Sequence, residues 1–107
     1  MAIGNYTATQ SQGTLAIAIA IGIEAGRNNQ GTAAIAIGAR AGLASQAANS
    51  IVINATNIQL DNVVANTLIV KPVRENTTGT APTSTLPTGF FYTIYNPTTG
   101  EMGYWNL

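Results

Sequence analysis

Isoleucine and alanine alternate along the first half of the chain on a two-residue beat. Ile17, Ile19 and Ile21 fall on one side of it, Ala16, Ala18 and Ala20 on the other. A period of two belongs to an extended strand, whose successive side chains point to opposite faces, and it argues against the 3.6-residue period of a helix. The beat stops at a glycine and then returns. Ile19-Ala20-Ile21-Gly22 is followed sixteen residues later by Ile35-Ala36-Ile37-Gly38, and after another sixteen by Ile51-Val52-Ile53-Asn54. Ala25-Gly26 returns as Ala41-Gly42, and Gln30 as Gln46, with Asn62 in the same slot of the next copy. Self-similarity at a short fixed period predicts stacked coils of strand.

The copies read as a half-repeat over residues 2–13, then Thr14 to Gly31, Thr32 to Gln46, and Ala47 to Asn62. Because Ala2-Ile3-Gly4 enters in mid-repeat, the chain is expected to be the C-terminal piece of a longer protein, with Met1 an added start. Ten steps separate Gln12 from Gly22, where eight separate Gln30 from Gly38. Those two extra residues are one strand period, so they lengthen the strand Ala16 to Ile21 without turning its faces over. Gly4, Gly22, Gly38 and Asn54 mark the repeat corners, where positive φ is called for. Gln12, Gln30 and Gln46 predict either an amide ladder between rungs or a row of exposed corner glutamines. Glu24 and Arg40 share a slot, so they should pair if successive rungs of one chain stack about 4.8 Å apart.

Both faces of these strands are apolar, one bulky and one small. The expectation is that isoleucines fill a core while alanines let a second layer or a neighbouring chain approach closely. Strands apolar on both faces are normally covered on both. A chain this short has little with which to cover the second, which predicts a homotrimer, threefold symmetry being natural for a fibre. The competing reading is a helical or aggregation-prone segment of low charge, but it leaves the recurring glycines and glutamines without a reason.

From Ile58 the pattern changes. Ile58 and Leu60, Val63-Val64 and Leu68-Ile69-Val70 read as strands of a different course, ending at Lys71-Pro72-Val73-Arg74, where proline removes a ladder donor. Residues 75–88, rich in Thr, Pro and Gly, predict an exposed loop. Phe90 to Tyr95, the turn Asn96-Pro97-Thr98-Thr99-Gly100 and Glu101 to Trp105 predict a hairpin. Six of the seven aromatics lie between Phe90 and Trp105. They form either the plug that ends a solenoid or stacking faces for a sugar or a protein. Tyr92, Tyr95, Tyr104 and Trp105, with the Thr-rich loop, are the candidate receptor contacts. The fold class expected is all-β: a trimeric β-helix or β-roll shaft of 16-residue repeats over residues 1–62, and a C-terminal β-rich tip or trimerisation cap over 63–107.

Composition narrows the chemistry. Charged residues are 7% of the chain and the net charge is zero, against roughly a quarter charged in ordinary domains. With four Lys and Arg against four acids, there is no basic patch for phosphates, and nucleic acid is not an expected partner. The absence of cysteine excludes a disulfide framework. The longest apolar run, Leu15 to Ile23, is nine residues, too short for the about 20 of a spanning helix, so membrane insertion is not expected; nor does the N-terminus have the form of a signal peptide. Histidine is absent and the acids are scattered, so no metal, cofactor or enzymatic role is expected. A nucleophile would be left with Lys71 as base, as in a Ser84–Lys71 dyad, and two carboxylates could meet only across a subunit interface. The Asn-x-Thr triplets at Asn5, Asn54 and Asn76 are what chance supplies in a chain rich in both residues.

The unit Ala-Ile-Ala-Ile-Gly, two residues, Ala-Gly, then Gln resembles the head repeats of trimeric autotransporter adhesins, whose strands coil into a left-handed β-roll. A closer likeness is to repeat-bearing fibre and surface proteins of large DNA viruses of algae, such as the chloroviruses. There similar repeats precede a strand like Leu68-Ile69-Val70-Lys71-Pro72-Val73-Arg74 and a terminal segment like Tyr95-Asn96-Pro97-Thr98-Thr99-Gly100-Glu101, so the likeness covers nearly the whole chain. It implies a trimeric fibre or spike on a virion surface with a trimeric tip, attaching to a host-surface glycan or protein; a bacterial or other extracellular adhesin head is the alternative. The copy number is low, and Met102-Gly103 stands where a β-branched residue would follow the Glu. A different class of function remains open, in which the C-terminal part only nucleates trimerisation and binds nothing. A monomeric solenoid binding ice or a repetitive polymer would want flat rows of Thr, which the strands do not have.

Overall fold

The computed structural model describes residues 1–10, 18–75 and 86–105. Their nine strands are β1 (Ala2–Ile3), β2 (Ile19–Ile21), β3 (Ile35–Ile37), β4 (Ala41–Gln46), β5 (Ile51–Asn54), β6 (Leu60–Asn62), β7 (Leu68–Lys71), β8 (Tyr92–Tyr95) and β9 (Glu101–Trp105). No helix occurs among the described residues. Strands β1, β2, β3, β5 and β7 stack as a parallel ladder in one sheet, to which β9 and then β8 are added. Ala2 pairs with Ala20, Ala20 with Ala36, Ala36 with Val52, and Val52 with Ile69. Each step closes one turn of chain, so about four coils stack into a β-solenoid.

The first coil is 18 residues long, Ala2 to Ala20, and the next 16, Ala20 to Ala36. Alanine still faces alanine, as an even insertion requires. Gln12 and the expected strand extension at Ala16 and Ile17 lie outside the described residues; the described strand begins at Ile19.

The isoleucine face is the reverse of the expectation, while the alanine face is closely approached by a second layer, one of the two coverings expected for it. Ala18, Ala20, Ala36 and Val52 are fully buried, while Ile3, Ile37 and Ile53 are 53%, 38% and 40% exposed. The cause is the width of the coil. On its return leg the chain forms a second, two-stranded parallel sheet of β4 and β6. From that sheet Ala41 and Leu60 join one core with Ala20, Ala36, Val52 and Ile69. The near layer leaves room for a methyl group at most rungs, and the bulkier isoleucine is turned outward. The small face is therefore covered by the chain itself. Moving along the stack, the inward residue grows from Ala36 to Val52 to Ile69, so the interior widens toward the C-terminal end.

The ladder also continues past residue 62. Leu68 to Lys71 were expected on a different course, yet Leu68 pairs with Ile51 and Lys71 with Asn54 in parallel. The chain changes course at the hairpin instead, where β9 runs antiparallel to β7.

Two columns inside this stack carry the repeat. Gln30 and Gln46 are buried, and Gln30 Nε2 donates to Gln46 Oε1 at 3.2 Å. Each amide also donates to the strand carbonyl of the coil, Gln30 to Ile19 O and Gln46 to Ile35 O, both at 2.8 Å. The amide ladder, not the exposed row, is the arrangement adopted. It explains the recurring Ala-Gly as well: a Cβ on Gly26 would lie 2.7 Å from Gln30 Oε1, and one on Gly42 2.9 Å from Gln46 Oε1. The second column is that of the corners. Gly4, Gly22 and Gly38 have φ of 133°, 127° and 109°. Asn54, which ends the column, does not share that backbone. Its Nδ2 turns inward and donates to Ala39 O at 2.9 Å and Ile58 O at 2.7 Å.

On the surface, Arg40 Nε meets Glu24 Oε2 at 3.1 Å, the pairing that rung stacking predicts, and Arg27 takes the other carboxylate oxygen at 2.9 Å. Both arginines are well exposed, so each bridge is worth about 0–1 kcal/mol. Arg40→Ala is expected to lower the thermal midpoint by no more than a few degrees. A collapse of the fold in a far-UV circular dichroism melt would mean that the bridge, and not the core, holds the register.

Candidate contact surface

The hairpin forms because a tight, self-bonded turn joins two short β-prone runs. Asn96 Oδ1 accepts from Thr98 N at 2.9 Å and Thr99 N at 3.2 Å, an Asx-type turn, and Gly100 supplies φ of 82° before β9. Across the pair, Tyr92 faces Trp105, Thr93 faces Tyr104, Ile94 faces Gly103 and Tyr95 faces Met102. On β7, Leu68 faces Met102 and Ile69 faces Glu101.

Cross-strand partners share a face of the sheet, and this divides the four expected contact residues. Tyr95 and Tyr104 lie with Met102 on the outward face, in line with Leu68 and the isoleucines. Tyr92 and Trp105 lie with Ile94, Gly103 and Glu101 on the opposite face, in line with buried Ile69. The structure thus makes two pairs of the set. The rings do not close the coil as a plug within one chain: Tyr104 is 64% and Trp105 55% exposed. Tyr104 packs on Phe91 with ring centroids 5.2 Å apart, and Tyr95 Oη donates to Val70 O at 2.8 Å. What closes the ladder is backbone, because the antiparallel β9 occupies the edge that a further parallel coil would need. The Thr-rich loop lies mostly outside the described residues, at 76–85, as does Ser84 of the dyad considered above.

The outward face is continuous across the sheet. Ile19 and Ile21, Ile35 and Ile37, Ile51 and Ile53, then Leu68 and Val70 repeat a pair of apolar side chains from rung to rung, and Met102 and Tyr104 extend it. Its strand positions carry no charge. The sequence argument missed this surface because it placed the isoleucines inside.

The inward face of the hairpin extends beyond β6, the last strand of the second layer. A cavity of about 300 Å³ lies there, lined by Ile94, Tyr95, Asn96, Glu101 and Gly103. In the sequence Ile94 reads only as part of a hairpin strand and Gly103 only as a departure from the resembled pattern, neither as a site residue; a glycine in a short strand beside aromatics was the available signal. Among the described residues, no three of His, Cys, Asp and Glu come together. Of the Asn-x-Thr triplets, Asn54 is buried with its amide bonded inside the coil, so it is closed to modification in the folded chain, while Asn5 is exposed and Asn76 lies outside the described residues.

Comparison with protein families, with curated proteins and with solved structures returns no match.

Proposed function

We propose that this chain is the distal segment of a fibre or spike, a structural protein that assembles as a homotrimer through its isoleucine face and displays the hairpin for attachment to a host surface. The observation that carries the reading is the uncharged outward face, two apolar side chains wide and repeated on every rung. Such a surface in water favours a partner. A matching partner must offer apolar ridges at the same rung spacing, which another copy of the ladder does. The ribbon is narrow. Three ribbons meeting on an axis enclose one another, whereas two laid face to face leave their margins wet. Placement on a virion surface rests on the resemblance of the repeats and of the Lys71–Arg74 and Tyr95–Glu101 segments. Attachment through three tip sites gives avidity from individually weak contacts.

The test is the solution mass by light scattering on the size-exclusion peak. The expected value is three times the 11.0 kDa of one chain. Ile37→Lys, at a position half-open in the isolated chain, is expected to cost the single coil less than about 0.5 kcal/mol while dissociating the trimer to monomers. A monomeric parent protein would refute assembly through this face. The antiparallel closure by β9 favours a second reading, in which the hairpin caps and registers the fold without a ligand. If soluble trimers persist after residues 86–107 are deleted, that role falls.

A further inference from the structure

We propose that the inward face of the hairpin is a saccharide-binding groove, with Gly103 as its floor, Trp105 and Tyr92 as its stacking wall and Glu101 and Asn96 as its polar end, taking one neutral pyranose unit. This deepens the attachment reading by naming the site and the ligand class. The argument begins with Gly103, which nothing in the fold requires. Its φ is not in the left-handed region, and a Cβ there would meet only Ile94 Cγ1 at 3.7 Å and Cδ1 at 3.9 Å, ordinary contact distances. By contrast, a Cβ on Gly4, Gly22, Gly26, Gly31, Gly38, Gly42 or Gly100 would come within about 3.0 Å of a neighbouring atom. A glycine inside a strand weakens it and marks a place where something approaches the backbone closely. Here its missing side chain opens the cavity of about 300 Å³ between Ile94 and Glu101, the lower end of the range for small-molecule sites.

The chemistry of the rim selects the class. Tyr92 and Trp105 stand opposite each other, two positions along the same face from Ile94 and Gly103; they do not line the cavity itself but extend it with an aromatic surface for the C–H face of a sugar ring. Glu101 is exposed, and its carboxylate meets neither a cation nor a hydrogen-bond donor among the described residues. Asn96 spends its Oδ1 on the turn and so offers Nδ2 as a donor. A wall with one acceptor and one donor beside it suits hydroxyl groups, which both give and take hydrogen bonds. An organic cation would want rings and acceptors alone, and the carboxylate repels an acidic sugar. The face is opposite to the isoleucine ribbon, so trimer assembly leaves it open.

Trp105 is the single tryptophan of the chain, and its fluorescence reports on the wall directly. The full chain would be titrated with the methyl glycosides of glucose, galactose, mannose and N-acetylglucosamine, and separately with tetramethylammonium chloride, with saturation-transfer NMR reading the sugar side. At least one pyranoside is expected to give a saturable response in the millimolar range. Gly103→Val fills the floor with a good strand former, so the variant should melt at or above the parent temperature while its response weakens at least tenfold; Glu101→Gln should weaken it less. No response from any pyranoside, a response unchanged in Gly103→Val, or saturation by tetramethylammonium alone would each overturn the groove. A monomeric protein that still loses sugar binding in Gly103→Val would leave the groove standing and remove the trimer.

Discussion

Gly38→Ala is expected to cost about 2–6 kcal/mol, enough to unfold much of a chain whose whole stability should be about 5–15 kcal/mol. Two independent costs add. The backbone at Gly38, with φ of 109°, lies where an L side chain is strained, typically by about 1–3 kcal/mol. The new Cβ would also fall on Asn54 O and stand 2.7 Å from Asn54 C, crowding worth about 1–3 kcal/mol. Those atoms belong to the next rung and cannot retreat without opening the ladder. The same holds higher in the column, where a Cβ on Gly22 would be 2.7 Å from Gly38 C and one on Gly4 2.7 Å from Gly22 O. Gly89→Ala isolates the first cost, because Gly89 has φ of 86° but nothing within 4 Å of its absent Cβ. In far-UV circular dichroism melts, Gly89→Ala should lose a few degrees and Gly38→Ala well over ten, at about 4–8 °C per kcal/mol for a domain this size. Equal losses in the two variants would show that backbone strain alone, and not the stacking of corners, keeps glycine in the column.

The corners, the amide column and the Glu24–Arg40 pair were legible because a coil brings the same slot of each copy together. Identical residues at identical spacing are then contacts, and Ile19, Ile35 and Ile51 in register follow at once. The face assignment was not legible. Alternation fixes which residues share a face, never which face is inside, and by hydrophobicity alone isoleucine outranks alanine as a core residue. The deciding quantity is the separation of the two layers, which depends on Ala41 and Leu60 arriving from β4 and β6. These strands show no clear alternation: residues 41–46 are not legible as a strand, and Leu60 reads only as part of a strand on a different course. The seventh strand was legible as a strand, but its place in the parallel ladder was hidden for a related reason. Leu68-Ile69-Val70 replaces Ile-Ala-Ile with larger residues and arrives 17 residues after Ile51, one step off the period. Its inward residue, Ile69, has outgrown alanine because the interior has widened at that end. The hairpin was legible from its turn, but the partition of Tyr92 and Trp105 from Tyr95 and Tyr104 needed the pairing register.

Gln46→Leu is expected to cost about 2–4 kcal/mol despite conserving volume and adding an apolar side chain. The buried amide donates to Ile35 O at 2.8 Å and Ser50 O at 3.3 Å and accepts from Gln30 Nε2 at 3.2 Å. Leucine would leave these groups inside the coil without that partner, and each buried polar group stranded in this way costs about 1–3 kcal/mol. Apolar gain is small because leucine would fill space already filled. Gln46→Glu should be worse, since a carboxylate would face two carbonyl oxygens where the amide now donates, and would carry a charge into the interior of the coil. Gln30→Leu should cost a comparable amount through Ile19 O. The double variant should cost less than the sum of the singles, because the 3.2 Å bond between the two amides is lost only once. Urea denaturation of the four proteins measures that coupling. Strict additivity would mean that each glutamine serves its own coil alone. A shortfall of about 0.5 kcal/mol or more would make the amide column a link between coils, fixing the register that the small, unspecific alanine core leaves free to slip.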